Sequence, residues 1–214
     1  MLIAGIDEAG RGPVIGPMVM SIVLIDVKDN DKLKKIGVKD SKLLTMDKRE
    51  FLYEKIKKIA KETYTIKTSA KEIDTLRKRY SLNFIELKIT SKLINKLKEK
   101  PDYIYVDCPQ ISTDKYKNNL YALIDYDTKL IVENKADLNY LCVSAASIIA
   151  KVERDNCIKE YEKELNLELG CGYPHDEKTI NALTKLEKLK PEIIRKSWQT
   201  YINLKNKEKQ NKIV

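Results

Sequence analysis

The chain has 214 residues, of which 43% are hydrophobic and 34% charged, and its formal net charge is +9. This length is ample for a sizeable core, and the composition predicts a soluble globular protein. The start lacks the basic leader of a secretory signal, and no apolar run approaches the roughly 20 residues that span a bilayer. We therefore expect a cytoplasmic protein without a membrane partner. The basic excess favours a polyanionic partner such as nucleic acid, although a lysine-rich solvated surface would give the same charge.

The cysteines and the single histidine limit the chemistry that the chain can support. Cys108, Cys142, Cys157 and Cys171 have no CxxC spacing, so neither a zinc knuckle nor a redox pair is indicated, and most should be free buried thiols. Because His175 is the only histidine, a metal site would need oxygen ligands. Oxygen ligands favour Mg²⁺ or Mn²⁺ over Zn²⁺.

Hydrophobic periodicity and turn signals predict the secondary structure in chain order. Strands are predicted at residues 2–8, 17–25, 63–69, 103–107 and 128–133. Helices are predicted after Thr45, after Ser81, over 138–165, over 176–189 and briefly after Pro191, with a polar, frayed tail from Lys205. Early strands followed by alternating strands and helices predict an α/β protein with a mixed sheet flanked by helices.

An acidic pair followed by a glycine turn is the most informative segment. Asp7 and Glu8 end the first predicted strand, and Gly10-Arg11-Gly12 follows almost at once. Carboxylates at a strand end can hold a hard cation, and an arginine between glycines can bind phosphate. A P-loop needs Lys and then Ser or Thr where this chain has Arg11 and Gly12, and the dinucleotide fingerprint lacks its third glycine. The competing interpretation is an ordinary turn between two strands.

Three acids share a position at the end of a predicted strand or just beyond it. Asp7 and Asp107 end strands, and Asp137 lies at a strand-to-helix junction. If those strands are neighbours, the acids converge, and converging carboxylates repel unless a cation neutralises them. Two Mg²⁺ ions about 3.5–4 Å apart would suit attack of water on a phosphodiester. Taken singly, each acid is more often a cap or turn residue, and Asp137 is placed to cap the helix that follows.

The predicted long helix carries a polar stripe. Ser144, Ser147, Lys151 and Asp155 are spaced at i, i+3, i+7 and i+11 and share one face. Lys151 is suited to hold a phosphate, and Ser144 or Ser147 to donate a hydrogen bond to one. Helix–sheet packing with a Lys151–Asp155 ion pair explains the stripe equally well, so both interpretations stay open. Arg154 and Asp155 are expected to be structural.

Taken together, these segments resemble the type 2 ribonucleases H (ribonuclease HII), in the short single-chain form of archaeal members. The matching segments are Asp7 to Pro13 with Gly16-Pro17, Gly37 to Lys42, Val106-Asp107, Lys135 to Asp137, Ser144 to Lys151 with Arg154-Asp155, and Gly172 to Pro174. They occur in the family's order and run from residue 2 to about residue 198. That coverage is far more specific than any one motif.

The resemblance implies a ribonuclease H-like fold, with a five-stranded mixed sheet, flanking helices and a helical C-terminal extension. We expect residues 1–175 to form the catalytic domain and residues 176–214 to form a helical extension and polar tail packed on the same unit. The implied activity is metal-dependent cleavage of the RNA strand of RNA–DNA hybrids, and cleavage 5′ to ribonucleotides embedded in duplex DNA. Products would carry 3′-hydroxyl and 5′-phosphate ends, and the enzyme would serve RNA primer removal and ribonucleotide excision.

The resemblance also implies individual residue roles. Catalytic and metal-binding roles, in a two-metal site for Mg²⁺ or Mn²⁺, are implied for Asp7, Glu8, Asp107 and Asp137. Substrate contacts are implied for Gly10, Arg11, Gly12, Lys42, Ser144, Ser147, Lys151 and Tyr173. The glycine turn would contact the ribose 2′-hydroxyl, which only RNA carries, and Tyr173 would stack on the adjacent sugar.

Some positions depart from the family pattern. Cys171 and His175 stand where the family often has other side chains, so contacts from these two are not implied. The tail has Gln210 and Ile213 but no paired aromatics after them, so it does not support sliding-clamp binding. We expect a monomeric protein. The alternative to a nuclease is a non-catalytic hybrid-binding protein on the same fold.

Overall fold

The computed structural model of the chain describes residues 1–38 and 44–210. The strands within these residues are β1 Leu2–Ala9, β2 Met18–Asp26, β3 Glu62–Thr68, β4 Tyr103–Asp107 and β5 Lys129–Glu133. The helices are α1 Asn30–Ile36, α2 Met46–Ile59, α3 Ala70–Arg77, α4 Leu82–Asn95, α5 Thr113–Tyr121, α6 Ala136–Asn139, α7 Leu141–Leu165, α8 Glu177–Leu189 and α9 Gln199–Gln210. Two short 3₁₀ turns cover Val27–Asp29 and Pro191–Ile193.

The five strands form one mixed sheet in the order β3-β2-β1-β4-β5. Strand β1 is antiparallel to β2 and parallel to β4, and β4 is parallel to β5. The predicted fold class is therefore confirmed, including the mixture of strand directions. Because β1 and β4 are parallel neighbours, their carboxyl ends lie at the same edge of the sheet, where ligand sites form.

The chain divides into two compact units. The first unit comprises Met1–Ala9, Val19–Lys67 and Asn83–Glu153. Its core buries Ile3, Val23 and Ile25 from the sheet against Val143 and Ala146 of α7. Burial of this apolar surface is what holds the sheet and helix together, at roughly 25 cal/mol per Å².

Strand β1 and helix α7 approach each other closely at Gly5. A Cβ atom at Gly5 would lie 2.2 Å from the carbonyl carbon of Cys142 and 2.3 Å from the backbone nitrogen of Val143. These distances are far inside van der Waals contact, so only glycine fits between the strand and the helix backbone. Gly5 thereby lets α7 pack directly on the strand that carries Asp7.

The second unit comprises Gly10–Met18, Thr68–Leu82 and Arg154–Val214. Its core packs Val14 and Ile15 with Leu183, Leu186 and Ile194, and residues Ile15 and Ile194 also form an antiparallel β-bridge. This unit contains the predicted C-terminal extension together with segments from earlier in the chain. The predicted domain boundary at residue 175 stays a prediction.

The junction between β5 and α7 differs from the expected single helix. A short helix, α6, ends at Asn139, and Tyr140 is extended (φ −125°, ψ 117°) before α7 begins at Leu141. The N-cap of α6 is Lys135 in the left-handed conformation, and Asp137 lies inside the first turn. The prediction that Asp137 caps its helix is therefore wrong, because the chain turns two residues earlier.

Three helices and the structure of the tail were not predicted. Helix α3 begins with a capping box, in which Ser69 and Glu72 satisfy each other's backbone N–H groups, although Ser69 was assigned to a strand. Helices α1 and α5 also lie in segments predicted as connections. The tail predicted as frayed from Lys205 is helical to Gln210.

The prediction that most cysteines are free buried thiols fits the described residues. Cys108, Cys142 and Cys157 are buried free thiols, and Cys171 is exposed. Burial raises the pKa of the Cys142 thiol to about 12, so it stays protonated at neutral pH. Across residues 1–38 and 44–210, every helix falls short of the length and apolarity needed to cross a membrane.

Candidate active site

Three carboxylates meet at the carboxyl ends of β1 and β4. Asp7, Glu8 and Asp107 each offer an oxygen atom, and these oxygens all lie within 4.8 Å of one another. Asp7 is only 4% exposed, while Glu8 and Asp107 are half-buried. The parallel pairing of Ile6 with Val106 brings the next residue of each strand, Asp7 and Asp107, to the same edge.

The surroundings of Asp7 destabilise its ionised carboxylate. Burial raises the pKa of Asp7 well above its ordinary value, and the negative charges of Glu8 and Asp107 raise it further. The Ser147 hydroxyl and the backbone N–H of Glu8, which lies 2.7 Å from Asp7 Oδ1, donate hydrogen bonds that oppose this rise. The Asp7 carboxylate is therefore oriented but incompletely neutralised by the protein.

Backbone also orients Asp107. Its Oδ1 accepts a hydrogen bond at 3.0 Å from the N–H of Ala136, the first residue of α6. The strand-end carboxylate is thus tied to the segment that carries Asp137. Such outer hydrogen bonds hold a ligand oxygen in place before a cation arrives.

The cluster fits a hard divalent cation. Its donor set consists of carboxylate oxygens, which Mg²⁺ and Mn²⁺ prefer. A bound cation would offset both the burial of the Asp7 charge and its repulsion from Glu8 and Asp107. The fit rests on the three carboxylate ligands and on their shared negative charge, both of which belong to described side chains.

Asp137 is placed differently from the other three predicted acids. It is 4% exposed, and among the described residues the 4.8 Å cluster does not extend to it. Its backbone is held by Ser144, whose Oγ donates to the Asp137 carbonyl oxygen at 2.5 Å and to the Tyr140 carbonyl oxygen at 3.4 Å. The Ser144 hydroxyl therefore supports the α6–α7 junction.

Ser147 and Lys151, two residues of the polar stripe on α7, have different surroundings. Ser147 is 2% exposed and hydrogen-bonds to Asp7, so it supports the acid cluster directly. Lys151 is half-buried one helical turn further along. Lys42, another of the residues with an implied substrate contact, lies outside the described residues.

Two side chains from the C-terminal part of the chain, those of Arg195 and Trp198, hold the glycine turn in the second unit. Arg195 is fully buried and donates to the carbonyl oxygens of Gly10 (2.6 Å), Arg11 (3.0 Å) and Gly16 (3.0 Å). Trp198 Nε1 donates to the carbonyl oxygen of Gly12 at 3.1 Å. Burial, then the charge of Arg154, lowers the pKa of Arg195 to about 9, which leaves it cationic at neutral pH.

These hydrogen bonds fix the direction of the turn's amide groups. In a planar trans peptide the carbonyl of one residue points opposite to the N–H of the next. Because the carbonyls of Gly10 and Arg11 face Arg195, the N–H groups of Arg11 and Gly12 face away from it. Sequence analysis missed Arg195 and Trp198, since nothing in their local pattern reveals a contact with the start of the chain.

Gly10 must be glycine. Its φ is +79°, and a Cβ atom there would lie 2.5 Å from the Arg154 side chain and 2.8 Å from the carbonyl oxygen of Pro17. Arg154 itself donates to the carbonyl oxygen of Cys171 at 3.1 Å, which agrees with its predicted structural role.

Tyr173 lies against the glycine turn. A Cβ atom at Gly12 would be 3.3 Å from Tyr173 Cε1, so the ring occupies the space next to that glycine. The Arg154 guanidinium lies 5.7 Å from the ring centroid, and the His175 ring lies 5.6 Å away. Two of the predicted substrate-binding positions, Gly12 and Tyr173, are therefore neighbours within the second unit.

Known proteins share this architecture. The sequence model of the family described as Ribonuclease HII matches residues 4–201. Ribonuclease HII of Methanococcus maripaludis strain C6 is 47% identical over 99% of this chain and 90% of that protein. The crystal structure of ribonuclease H2 from Pyrococcus horikoshii OT3 superimposes with a TM-score of 0.90 at 40% identity, over 97% of this chain and 98% of that one. Archaeoglobus fulgidus RNase HII, solved in a PCNA complex, gives a TM-score of 0.84 at 36% identity, over 93% and 96%.

The mixed five-stranded sheet, flanked by helices and carrying carboxylates at the ends of β1 and β4, places the protein in the ribonuclease H-like class. The family match over nearly the whole chain then makes the assignment specific. The chain belongs to the ribonuclease HII family and is a ribonuclease H-type nuclease.

Proposed function

We propose that the protein is a metal-dependent endoribonuclease that cuts the RNA strand of RNA–DNA hybrids and cuts 5′ to ribonucleotides embedded in duplex DNA. The products carry 3′-hydroxyl and 5′-phosphate ends, which suits RNA primer removal and ribonucleotide excision. The observation that carries the proposal is the cluster of Asp7, Glu8 and Asp107 within 4.8 Å at one sheet edge.

The acids would hold Mg²⁺ or Mn²⁺, with Asp7, Glu8 and Asp107 supplying the clustered oxygens and Asp137 the fourth carboxylate. When bound, the cations would supply a more acidic water for attack and neutralise charge on the leaving 3′ oxygen. The protein's own part is orientation. Ser147 donates to Asp7, and the Ala136 N–H donates to Asp107, which limits how far each carboxylate can turn.

Recognition of RNA is proposed for the glycine turn and Tyr173. The N–H groups of Arg11 and Gly12 face away from Arg195 and can donate to a ribose 2′-hydroxyl or a phosphate oxygen. Tyr173 would stack on the sugar next to the selected ribonucleotide.

Phosphate contacts elsewhere are proposed for Lys42 and Lys151, in keeping with the net charge of +9. Substrate contacts are also proposed for Ser144 and Ser147, and the Ser144 hydroxyl holds the Asp137 backbone as well, by donating to its carbonyl oxygen. The A. fulgidus relative was solved with PCNA. For this chain, the absence of tail-mediated clamp binding stays a prediction, as do its monomeric state and cytoplasmic location.

The test uses a labelled DNA duplex with one ribonucleotide, incubated with protein plus Mg²⁺, plus Mn²⁺ or plus EDTA. A cut 5′ to the ribonucleotide, seen only with metal, is the expected result. Cleavage of a long hybrid but not of the single site would remove the junction specificity and keep the nuclease. Tight, salt-sensitive binding without any product would favour the non-catalytic hybrid-binding alternative.

A further inference from the structure

A cavity of about 310 Å³ lies within the second unit, next to the glycine turn. It is lined by Arg11, Gly12, Arg77, Leu82, Ser197, Trp198 and Gln199. Its volume is at the low end of the range for ligand sites, which suits a phosphate with part of its sugar better than a larger molecule.

The cavity is built around Trp198. The indole Nε1 is fixed by its hydrogen bond to the Gly12 carbonyl oxygen, and the guanidinium carbon of Arg77 lies 5.1 Å from the ring centroid. Buried Arg195 lies 4.8 Å from the same centroid. The ring therefore has one arginine anchored in the core and another, Arg77, at the exposed end of α3.

Stacking on Trp198 prepares Arg77 to bind an anion. A guanidinium that stacks on an aromatic ring uses its face, so its N–H donors remain in a plane that matches two phosphate oxygens. The stack also limits the rotamers of a long side chain, which lowers the entropy lost when a ligand is bound. Arg11 adds a second positive charge to the lining.

The charges around the cavity favour an anionic ligand. Among the described residues that line it, two are arginines and none is acidic. Asp74 contacts Ser197, but its carboxylate accepts hydrogen bonds from the backbone N–H groups of Lys196 (2.7 Å) and Ser197 (3.1 Å) and from the Ser197 hydroxyl (2.6 Å). The Asp74 carboxylate, the nearby negative charge, is thus already stabilised by three hydrogen bonds within the protein.

We propose that this cavity binds a backbone phosphate of the substrate duplex, with Arg77 as its main ligand and Trp198 as the platform that orients Arg77. The assignment rests on the proposed function, because Arg11 and Gly12 are shared with the turn that would contact the selected ribonucleotide. The phosphate would be one that flanks that nucleotide, and Arg77 would add affinity without reading the base.

Binding of a labelled duplex with one ribonucleotide, measured in Ca²⁺ so that cleavage is not required, tests the proposal. Arg77→Ala is expected to weaken binding about tenfold and to lower the salt dependence by about one phosphate contact, equally for an all-DNA duplex. Arg79→Ala removes the same charge two residues away, outside the lining, and should weaken binding less than about twofold. Arg77→Lys, which keeps the charge but loses the planar fork, should fall between Arg77→Ala and the wild type.

A methylphosphonate scan separates a direct contact from a structural effect. Replacing one phosphate at a time with a neutral group should reveal a position at which the wild type loses about tenfold and Arg77→Ala loses nothing further. Identical scan profiles for the two proteins, or equal losses in Arg77→Ala and Arg79→Ala, would overturn the proposal. Binding of 5′-AMP with a dissociation constant below about 1 mM that disappears in Arg77→Ala would assign the cavity to a free ligand instead.

The outcomes for this proposal and for the proposed function are separable. Cleavage by the wild type is measured on the same duplex with Mg²⁺. A wild type that binds but does not cut, with an Arg77-dependent phosphate, would remove the nuclease assignment and keep the phosphate site. A wild type that cuts, with no effect of Arg77→Ala on binding, would overturn the phosphate site and keep the nuclease assignment.

Discussion

Arg195 Nη2 lies 2.6 Å from the carbonyl oxygen of Gly10, a residue 185 positions earlier in the chain. The same guanidinium also holds the carbonyls of Arg11 and Gly16, so one buried side chain from the C-terminal part fixes the conformation of the glycine turn. The turn's geometry is therefore set by tertiary contacts rather than by its glycines alone.

Arg195→Met should lower the free energy of unfolding by about 3 kcal/mol, because three buried carbonyls lose a charged donor. Urea denaturation measures this change, with Lys196→Met as the exposed neighbour expected to stay within about 0.5 kcal/mol. Cleavage at a single ribonucleotide, measured at a temperature where both proteins are folded, should fall as well. An unchanged unfolding free energy would contradict the anchoring role of Arg195.

Asp7→Asn should abolish cleavage, by at least about a thousandfold, while leaving the fold intact. The melting temperature of the wild type should rise when Mn²⁺ is added, and that of the variant should not. Without metal, the variant should melt at or above the wild-type temperature, because the substitution removes a charge that burial, and then repulsion from Glu8 and Asp107, destabilises. Exposed Asp114→Asn is the matched control and should keep both activity and the metal-induced shift. Near wild-type activity in Asp7→Asn would remove Asp7 from the catalytic set.

Ser147→Ala should raise the Mg²⁺ concentration for half-maximal cleavage by about tenfold, since it removes a hydrogen bond that orients an acid of the cluster. Ser91→Ala is the control, because Ser91 is also buried in the first unit but its hydroxyl donates to the carbonyl oxygen of Lys88 at 3.0 Å. Both variants should lose similar stability. A metal requirement that changes equally in both would assign Ser147 to packing alone.

Tyr173→Ala should reduce cutting at a lone embedded ribonucleotide more than cutting within a long hybrid. The ring lies against Gly12, so its loss removes a stacking surface beside the turn that is proposed to select the ribose. Tyr173→Phe keeps the ring and should retain most of the selectivity. Steady-state cleavage of both substrates gives the ratio, and equal losses on both would refute a junction-sensing role.

Asp176 should make stability depend on pH under acidic conditions. The Cys171 N–H, at 2.6 Å, and the other donors to Asp176 lower the pKa of this carboxyl to about 2. Because the folded pKa lies below the unfolded value near 3.8, the stabilisation is present above about pH 4 and disappears as the pH falls towards 2. Asp176→Asn should cost about 1 kcal/mol at pH 7, after allowance for solvent screening, and progressively less below pH 4. A pH-independent difference between variant and wild type in urea denaturation would contradict this assignment.

The sheet could be predicted because its strands carry their own signals. Strand β4 begins and ends where the apolar run of residues 103–107 predicts, and β1 extends one residue beyond its predicted end. The convergence of Asp7 and Asp107 follows from strand ends alone, once β1 and β4 are parallel neighbours. These features depend on local pattern and on one rule of sheet topology.

The parts that could not be predicted depend on contacts distant in sequence or on single backbone conformations. Lys135 adopts φ 58°, which starts α6 before Asp137, and no residue type at that position signals the left-handed turn. Arg195 acts on residues near the opposite end of the chain. Helix α3 is different, since Ser69 and Glu72 form a capping box whose sequence signal was present but was assigned to a strand.

Gly5 has a consequence for the precision of the acid cluster. Strand β1 carries Asp7, and helix α7 carries the serine that bonds to it, so their separation must be right to a fraction of an ångström for that bond to form. At Gly5 a Cβ atom would lie 2.2 Å from the helix backbone, and only the hydrogen atom of glycine fits in that space. The tolerance of the cluster is thus governed by a residue that has no side chain, two positions from the acid, and the smallest possible addition there would push the strand and the helix apart.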